Sequence, residues 1–194
     1  MSDSIGVQPY TYQWFINQFT QARDRSISFC QPLSEDIFVQ RPAPETWSIA
    51  ECYSHLNEFG NRYLSNIRRG MESAEEGKPS KSLESAFTPR LIWKGVIWLF
   101  APPYRMKMKT VKPFTPKSVA LKKTNVLDEF NTLQNNFIDE LEQARIKSVD
   151  LDSVKVSNPL LTFIKMRLAE CFAVVEVHQR RHLWQAEQIL DKLQ

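Results

Sequence analysis

Glycine is scarce in this sequence, with only 5 glycines among 194 residues. So small a number argues against a turn-rich β architecture and against the glycine-built loops that bind phosphate groups. Long apolar runs are also missing. The longest, LIWKGVIWLFAPP, is interrupted by Lys94 and ends in two prolines, so it is too short to span a bilayer.

Cysteine is equally sparse, and the three residues Cys30, Cys52 and Cys171 share no CxxC spacing. An odd number of cysteines among apolar neighbours predicts reduced, buried thiols, as in a cytoplasmic protein, and argues against a cysteine zinc site. The formal charge of +3 is too small to predict a nucleic-acid partner. The first residues lack the basic start and apolar run of a secretion signal. We therefore expect a soluble, cytoplasmic protein, with residues 1–194 forming a single domain.

Apolar residues recur at helical spacing in four long segments, which are roughly residues 9–31, 48–71, 125–147 and 160–192. Residues 32–47 contain several prolines and predict a connector with at most one short turn of helix. Residues 74–124 form a long polar and basic insertion around the apolar run described above. No segment has a convincing strand pattern. The sequence predicts an all-α four-helix bundle with a long insertion between helices 2 and 3, and linkers this long permit parallel neighbours.

Two of the predicted helices have recognisable starts. Ser48 and Glu51 form the capping-box pattern, in which each side chain hydrogen-bonds the other residue's backbone N–H. At the other end of the chain, Asn158 followed by Pro159 predicts the start of the fourth helix, because proline is tolerated at the first helical position.

The only three histidines are His55, His178 and His182. Because residues four apart share one face of a helix, His178 and His182 can point at the same ion, and apolar neighbours predict that all three rings point inward. Neutral imidazoles meeting in a bundle suit Zn²⁺, Ni²⁺ or Fe²⁺ and leave coordination positions open. The alternative is that each ring is simply hydrogen-bonded in a polar seam. A zincin motif is excluded, because Gln179 stands where H-E-x-x-H requires glutamate.

Two quoted stretches carry a family resemblance: RPAPETWSIAECYSHL, and much later NPLLTFIKMRLAECFAVVEVHQRRHLWQAEQIL. With the basic, proline-bearing MKMKTVKPFTPKS between them, they resemble the DinB superfamily, including its YfiT-like metal-dependent hydrolases. The resemblance covers roughly residues 10–192. It implies a four-helix bundle whose metal ligands are His55, seven residues after the capping serine, and the pair His178 and His182.

The resemblance also implies a function. Some relatives are thiol S-transferases or isomerases that use low-molecular-weight thiols, others have no assigned activity, and many form homodimers. We therefore expect a divalent-metal protein that acts on a small-molecule substrate as a thiol S-transferase or hydrolase, with no nucleic-acid partner. A non-catalytic protein of the same fold, which binds a ligand or a partner, is the alternative.

Further polar residues are candidates for the site. Glu58, one turn after His55, and Gln185, three residues after His182, are placed to hydrogen-bond ligands or substrate. Arg62 could meet a substrate carboxylate, although we favour a solvated side chain there. For residues 91–112 we expect an ordinary element packed on the bundle; a lid over the metal, or a surface for a membrane or an anionic ligand, is the alternative.

Overall fold

The computed structural model describes residues 9–74, 85–104, 115–116 and 121–194. Within these ranges the chain is all-α apart from two short strands. The helices are α1 (Tyr12–Cys30), α2 (Glu35–Val39), α3 (Ile49–Glu72), α4 (Leu91–Phe100), α5 (Lys123–Ile146) and α6 (Leu168–Leu193). The strands are β1 (Lys155–Ser157) and β2 (Lys165–Arg167). None of the helices in the described part combines the length and apolar character that crossing a bilayer requires.

The four long helices α1, α3, α5 and α6 form the bundle, as predicted. In this bundle α1 packs on α5 and α6, and α3 packs on the same two helices. Helices α3 and α5 run parallel, because Asn57 bonds the carbonyl of Val126 near their starts and Arg68 pairs with Glu140 nearer their ends. The long connection between them makes this parallel arrangement possible.

Helix α6 runs antiparallel to α3, and this orientation brings the middle of each helix together. Gly70, near the end of α3, faces Leu168 at the start of α6, so that a Cβ at residue 70 would lie 2.8 Å from Leu168 Cδ2. Helix α1 runs in the same direction as α6, because Phe15 contacts Phe172 and Arg25 pairs with Glu187. In chain order the four long helices therefore run up, down, down and up.

The start of α3 is fixed by the predicted capping box. The Ser48 hydroxyl accepts from the backbone N–H of Glu51 at 3.2 Å, and the Glu51 carboxylate accepts from the N–H of Ser48 at 2.8 Å. Glu51 also forms an ion pair with Arg41 in the preceding connector. That connector contains one short helix, α2, in agreement with the sequence prediction.

The predicted start of the fourth long helix at Asn158 and Pro159 is wrong. The Asn158 side chain does accept from two backbone N–H groups, those of Leu160 and Leu161, but the turn that it caps does not continue. Instead, β1 and β2 form an antiparallel hairpin that pairs Val156 with Met166. Both side chains are buried against the bundle, so burial on alternate residues outweighs the local helix signal.

Helix α6 therefore begins later, at Leu168. Glu170 in its first turn accepts from the backbone N–H of Arg167 at 2.9 Å. The same carboxylate accepts from the backbone N–H and the guanidinium of Arg90, which immediately precedes α4. Because Glu170 is fully buried, this ion pair joins the beginning of α4 to the beginning of α6.

Candidate metal centre

The three histidines meet between α3 and α6, where the first half of α3 packs on the middle of α6. His55 lies two turns into α3, and His178 and His182 lie one turn apart on α6. The capping box fixes where α3 begins, and thus sets which face of the helix His55 occupies. Since α3 and α6 are antiparallel neighbours, rings from distant parts of the chain converge on one point.

The distances between the rings are short. Nε2 of His55 lies 3.3 Å from Nε2 of His178. The ring centroid of His182 lies 4.5 Å from that of His55 and 4.6 Å from that of His178. One ligand nitrogen from each histidine falls within 4.8 Å of the other two, and within the described ranges no cysteine or carboxylate joins this group.

The cluster is buried, which affects its protonation. His55, His178 and His182 are only 3%, 4% and 9% exposed. Burial lowers the pKa of His178 and of His182 well below the ordinary histidine value, and the positive charges of neighbouring histidines and of Arg181 lower it further. These two rings are therefore held neutral, which is the form that coordinates metal ions.

Two ring nitrogens in the cluster have no hydrogen-bond partner within the described ranges. They are Nδ1 of His178 and Nδ1 of His182. Leaving a buried polar atom unsatisfied costs about 1–3 kcal/mol, so imidazoles in this state are unusual in a purely structural core. Three imidazoles with convergent ring nitrogens, at least two of them neutral, fit the requirements of a divalent transition metal. A direct hydrogen bond between His55 and His178 is the alternative arrangement of the same rings.

Aromatic side chains surround the imidazoles. Phe59, one turn after His55, stacks on His178 with the ring centroids 3.9 Å apart. Trp47, just before the α3 cap, lies 5.1 Å from His55 and 5.8 Å from His182. Such walls exclude water and strengthen electrostatic interactions within the cluster.

Helix α4 completes the enclosure. Its last residue, Phe100, places its ring edge-on to His178 at a centroid distance of 5.0 Å. Beyond the helix, the Tyr104 ring packs on Trp184 and lies under the guanidinium of Arg181, 5.7 Å from ring centroid to Cζ. Residues 91–104 thus pack on the bundle, as expected, and also form a wall of the histidine cluster. Residues 105–112 of the predicted basic segment lie outside the described residues.

The other predicted site residues, Glu58, Gln185 and Arg62, are not part of the convergent histidine group. Gln185 is half-buried, and its side chain raises the pKa of His182 against the larger effect of burial. Glu58 is half-buried on α3, but its carboxylate is not part of the convergent group. Arg62 is exposed, which agrees with the solvated side chain we favoured.

The sequence interpretation did not identify Trp47 or Arg181 as neighbours of the histidines. Phe59 was readable, because it lies four residues after His55 and so shares its helix face. Phe100 belongs to residues 91–112, for which a lid over the metal was the alternative and not the expectation, because its contact with His178 depends on how the insertion packs against α6. Arg181 is almost completely buried beside the histidines, although its neighbours in sequence are polar.

The three cysteines are free and buried, as predicted. Burial raises the pKa of Cys30 to about 11 and raises the pKa of Cys52 and Cys171 still further. None of them is a thiolate at neutral pH, so none has the ionisation state of a nucleophile.

The comparisons with known proteins agree with the architecture. A family model described as the DinB superfamily matches residues 18–186, which is most of the chain and includes all three histidines. No curated protein matches the chain significantly.

Proposed function

The chain belongs to the DinB superfamily, and from this premise we propose that His55, His178 and His182 hold one divalent metal ion. We further propose that the protein is a metal-dependent enzyme, either a thiol S-transferase or a hydrolase, that acts on a small molecule. The observation that carries the proposal is the convergence of one ligand nitrogen from each histidine within 4.8 Å.

The distance between the two Nε2 atoms supports a shared ion. Two nitrogen ligands of a tetrahedral metal, each about 2.0–2.1 Å from it, lie about 3.3–3.4 Å apart. The observed separation between His55 and His178 is 3.3 Å. A set of three neutral imidazoles suits Zn²⁺, Ni²⁺ or Fe²⁺, and the donor set does not distinguish among these metals.

When bound, a divalent ion lowers the pKa of a water or thiol ligand towards neutrality and so supplies a nucleophile. The chain's own residues orient and enclose this site. Gln185, three residues after His182 on α6, is placed to orient that ring. Trp47 and Phe100 contact the imidazoles and keep bulk water away. Arg181 adds a positive charge beside the cluster, which favours a substrate with an anionic group.

A non-catalytic metal- or ligand-binding protein is the second candidate. The observation in its favour is the enclosure of the cluster, since no histidine is more than 9% exposed. A substrate would reach the site only if side chains at the end of α4 moved. The convergent group also lacks a carboxylate that could act as a general base.

Metal analysis of the purified protein tests the metal site. We expect about one equivalent of divalent metal in the wild type and none in His178→Ala. Gln188→Ala, which changes a polar residue elsewhere on α6, is the control and should retain the metal. Equal, negligible metal in wild type and His178→Ala would contradict the proposal.

An activity screen separates the two candidates. Metal-loaded protein is incubated with several low-molecular-weight thiols and electrophilic substrates, and in parallel with ester and amide substrates. Turnover that depends on a thiol supports the transferase, and thiol-independent turnover supports the hydrolase. Full metal occupancy without turnover in any assay would favour the non-catalytic protein.

A further inference from the structure

The outer side of α4 carries large apolar side chains in solvent. Leu91 is 85% exposed and Trp98 is 61% exposed, and the two lie seven residues apart on one face of the helix. The opposite face packs on α6 and carries the buried Trp93. Gly95 lies between the two exposed residues, and a Cβ built on it would contact nothing within 4 Å. The solvent side of α4 therefore carries large apolar side chains together with the exposed Lys94.

The turn of the β-hairpin carries further exposed apolar side chains. Phe163, at the turn between β1 and β2, is 80% exposed, and Leu160 and Leu161 beside it are also exposed. The hairpin adjoins α4, because the Arg90 guanidinium donates to the carbonyl of Lys165 in β2 at 2.7 Å. We name the exposed side chains together the apolar face: Leu91, Ile92, Trp98, Leu160, Leu161 and Phe163.

The described segments that carry the apolar face also carry positive charge. Residues 85–104 and 153–169 contain five basic residues and no Asp or Glu: Arg90, Lys94, Lys155, Lys165 and Arg167. The three lysines are exposed, whereas both arginines are engaged by acidic groups in the bundle. An apolar surface with an exposed tryptophan and phenylalanine, flanked by lysines, complements the interface of an anionic membrane.

We propose that the apolar face and its lysines bind the surface of an anionic lipid bilayer. The aromatic and leucine side chains enter the headgroup region, while Lys94, Lys155 and Lys165 meet lipid phosphates. The charge pattern favours a bilayer over a second copy of the chain. A two-fold contact through this face would place the lysines of both copies in one interface, and residues 85–104 and 153–169 supply no Asp or Glu to pair with them.

The test uses the full chain and phosphatidylcholine vesicles with and without phosphatidylglycerol, in a co-sedimentation assay. We expect binding to the anionic vesicles, weak binding to neutral ones, and loss of binding at high salt. Trp98→Ser and Phe163→Ser should each weaken binding at least about tenfold, because they remove apolar area from the inserted surface. Lys94→Glu should weaken it about tenfold or more.

Val39→Ser is the matched control, because Val39 is an exposed apolar residue on α2, which packs on α3 and α5. It should bind vesicles as the wild type does. All four residues are exposed, so unchanged thermal unfolding confirms that the variants fold.

Three results would overturn the proposal. They are no sedimentation with either vesicle, equal binding to neutral and anionic vesicles, and conversion of a wild-type dimer to a monomer by Trp98→Ser in light scattering. The last would show that the face joins two copies of the chain. None of these measurements involves the metal, so the result is independent of the proposed enzymatic function.

Discussion

The Nε2 atoms of His55 and His178 lie 3.3 Å apart, although 123 positions separate the two residues in the sequence. The antiparallel packing of α3 and α6 produces this proximity, and His182, one turn after His178, completes a cluster of three rings. Burial between α3 and α6 removes the imidazoles from water and keeps His178 and His182 neutral. The following predictions test what that arrangement does.

Metal binding should stabilise the folded protein. A ligand that binds only the folded state at about 100 times its Kd adds about 2.7 kcal/mol to the free energy of unfolding. For a chain of this size, that corresponds to a rise of about 5–10 °C in Tm. We expect this rise when Zn²⁺ is added to metal-free wild type in a calorimetric scan. His182→Gln should show little or no rise, and an equal rise in both proteins would place the metal elsewhere.

Phe100 should control how fast the metal leaves. Its ring covers His178 from the end of α4, and an aromatic contact of this kind is worth about 0.5–1.5 kcal/mol. In Phe100→Ala we therefore expect a chelator to remove the metal up to about tenfold faster, as followed by stopped-flow with a metal indicator. Phe29→Ala, which truncates a half-buried phenylalanine on α1, is the control and should release metal at the wild-type rate. Identical rates in all three proteins would contradict a covering role for Phe100.

The buried ion pair between Glu170 and Arg90 should make stability depend on pH. Burial alone raises the pKa of Glu170, but hydrogen bonds from Arg90 and from backbone N–H groups outweigh it and lower the pKa below its usual value. A carboxylate with a lowered folded pKa contributes stability above its unfolded pKa of about 4.3, and this contribution is lost as the pH falls through the folded pKa.

At pH 7, Glu170→Gln should lower the free energy of unfolding by about 2–3 kcal/mol, because a charged, hydrogen-bonded group is removed. The difference from wild type should shrink as the pH falls below about 4. Urea unfolding across this pH range is the measurement. Glu140→Gln is the control. It removes the acidic partner of the exposed Arg68, and the Glu140 side chain is 17% exposed whereas that of Glu170 is fully buried, so it should cost less than about 1 kcal/mol. A pH-independent cost for Glu170→Gln would contradict the role of its charge.

Two glycines should respond in opposite directions to alanine. A Cβ at Gly60, on α3, would lie 2.4 Å from Leu133 Cδ2 in the tightly packed contact with α5. We expect Gly60→Ala to lower the free energy of unfolding by about 1–3 kcal/mol through overpacking. Gly95, on the outer side of α4, has open space around it, so Gly95→Ala should raise stability by about 0.5–1 kcal/mol. Urea denaturation measures both, and a stabilised Gly60→Ala would show that α3 and α5 are not packed this closely.

Local signals accounted for most of the helical architecture. The spacing of apolar residues located the four long helices, and the Ser48–Glu51 pattern gave the start of α3 correctly because a capping box depends on residues three apart. The hairpin that pairs Val156 with Met166 was missed because its signal is not local. Its strands are three residues long, and their alternation becomes meaningful only when both side chains are buried against the bundle.

The candidate site was also predicted only in part, and again the local features were the predictable ones. The pairing of His178 with His182 follows from helix geometry, and apolar neighbours predicted that His55 also points inward; the resemblance to known proteins then favoured one shared metal over three separate rings. Arg181 and Tyr104 were not identified, and a lid formed by residues 91–112, which include Phe100, was only the alternative, because these contacts depend on how a long insertion folds back onto α6. Periodicity within one helix contains no information about which insertion covers it.

The central claim is that three histidines bind one metal ion. X-ray absorption spectroscopy of the zinc-loaded protein tests it most directly, in wild type and in His55→Ala. The account predicts about three imidazole nitrogens at about 2.0–2.1 Å from zinc in the wild type, and loss of that site when His55 is removed. A wild-type spectrum with only oxygen neighbours, or a spectrum unchanged by His55→Ala, would contradict it.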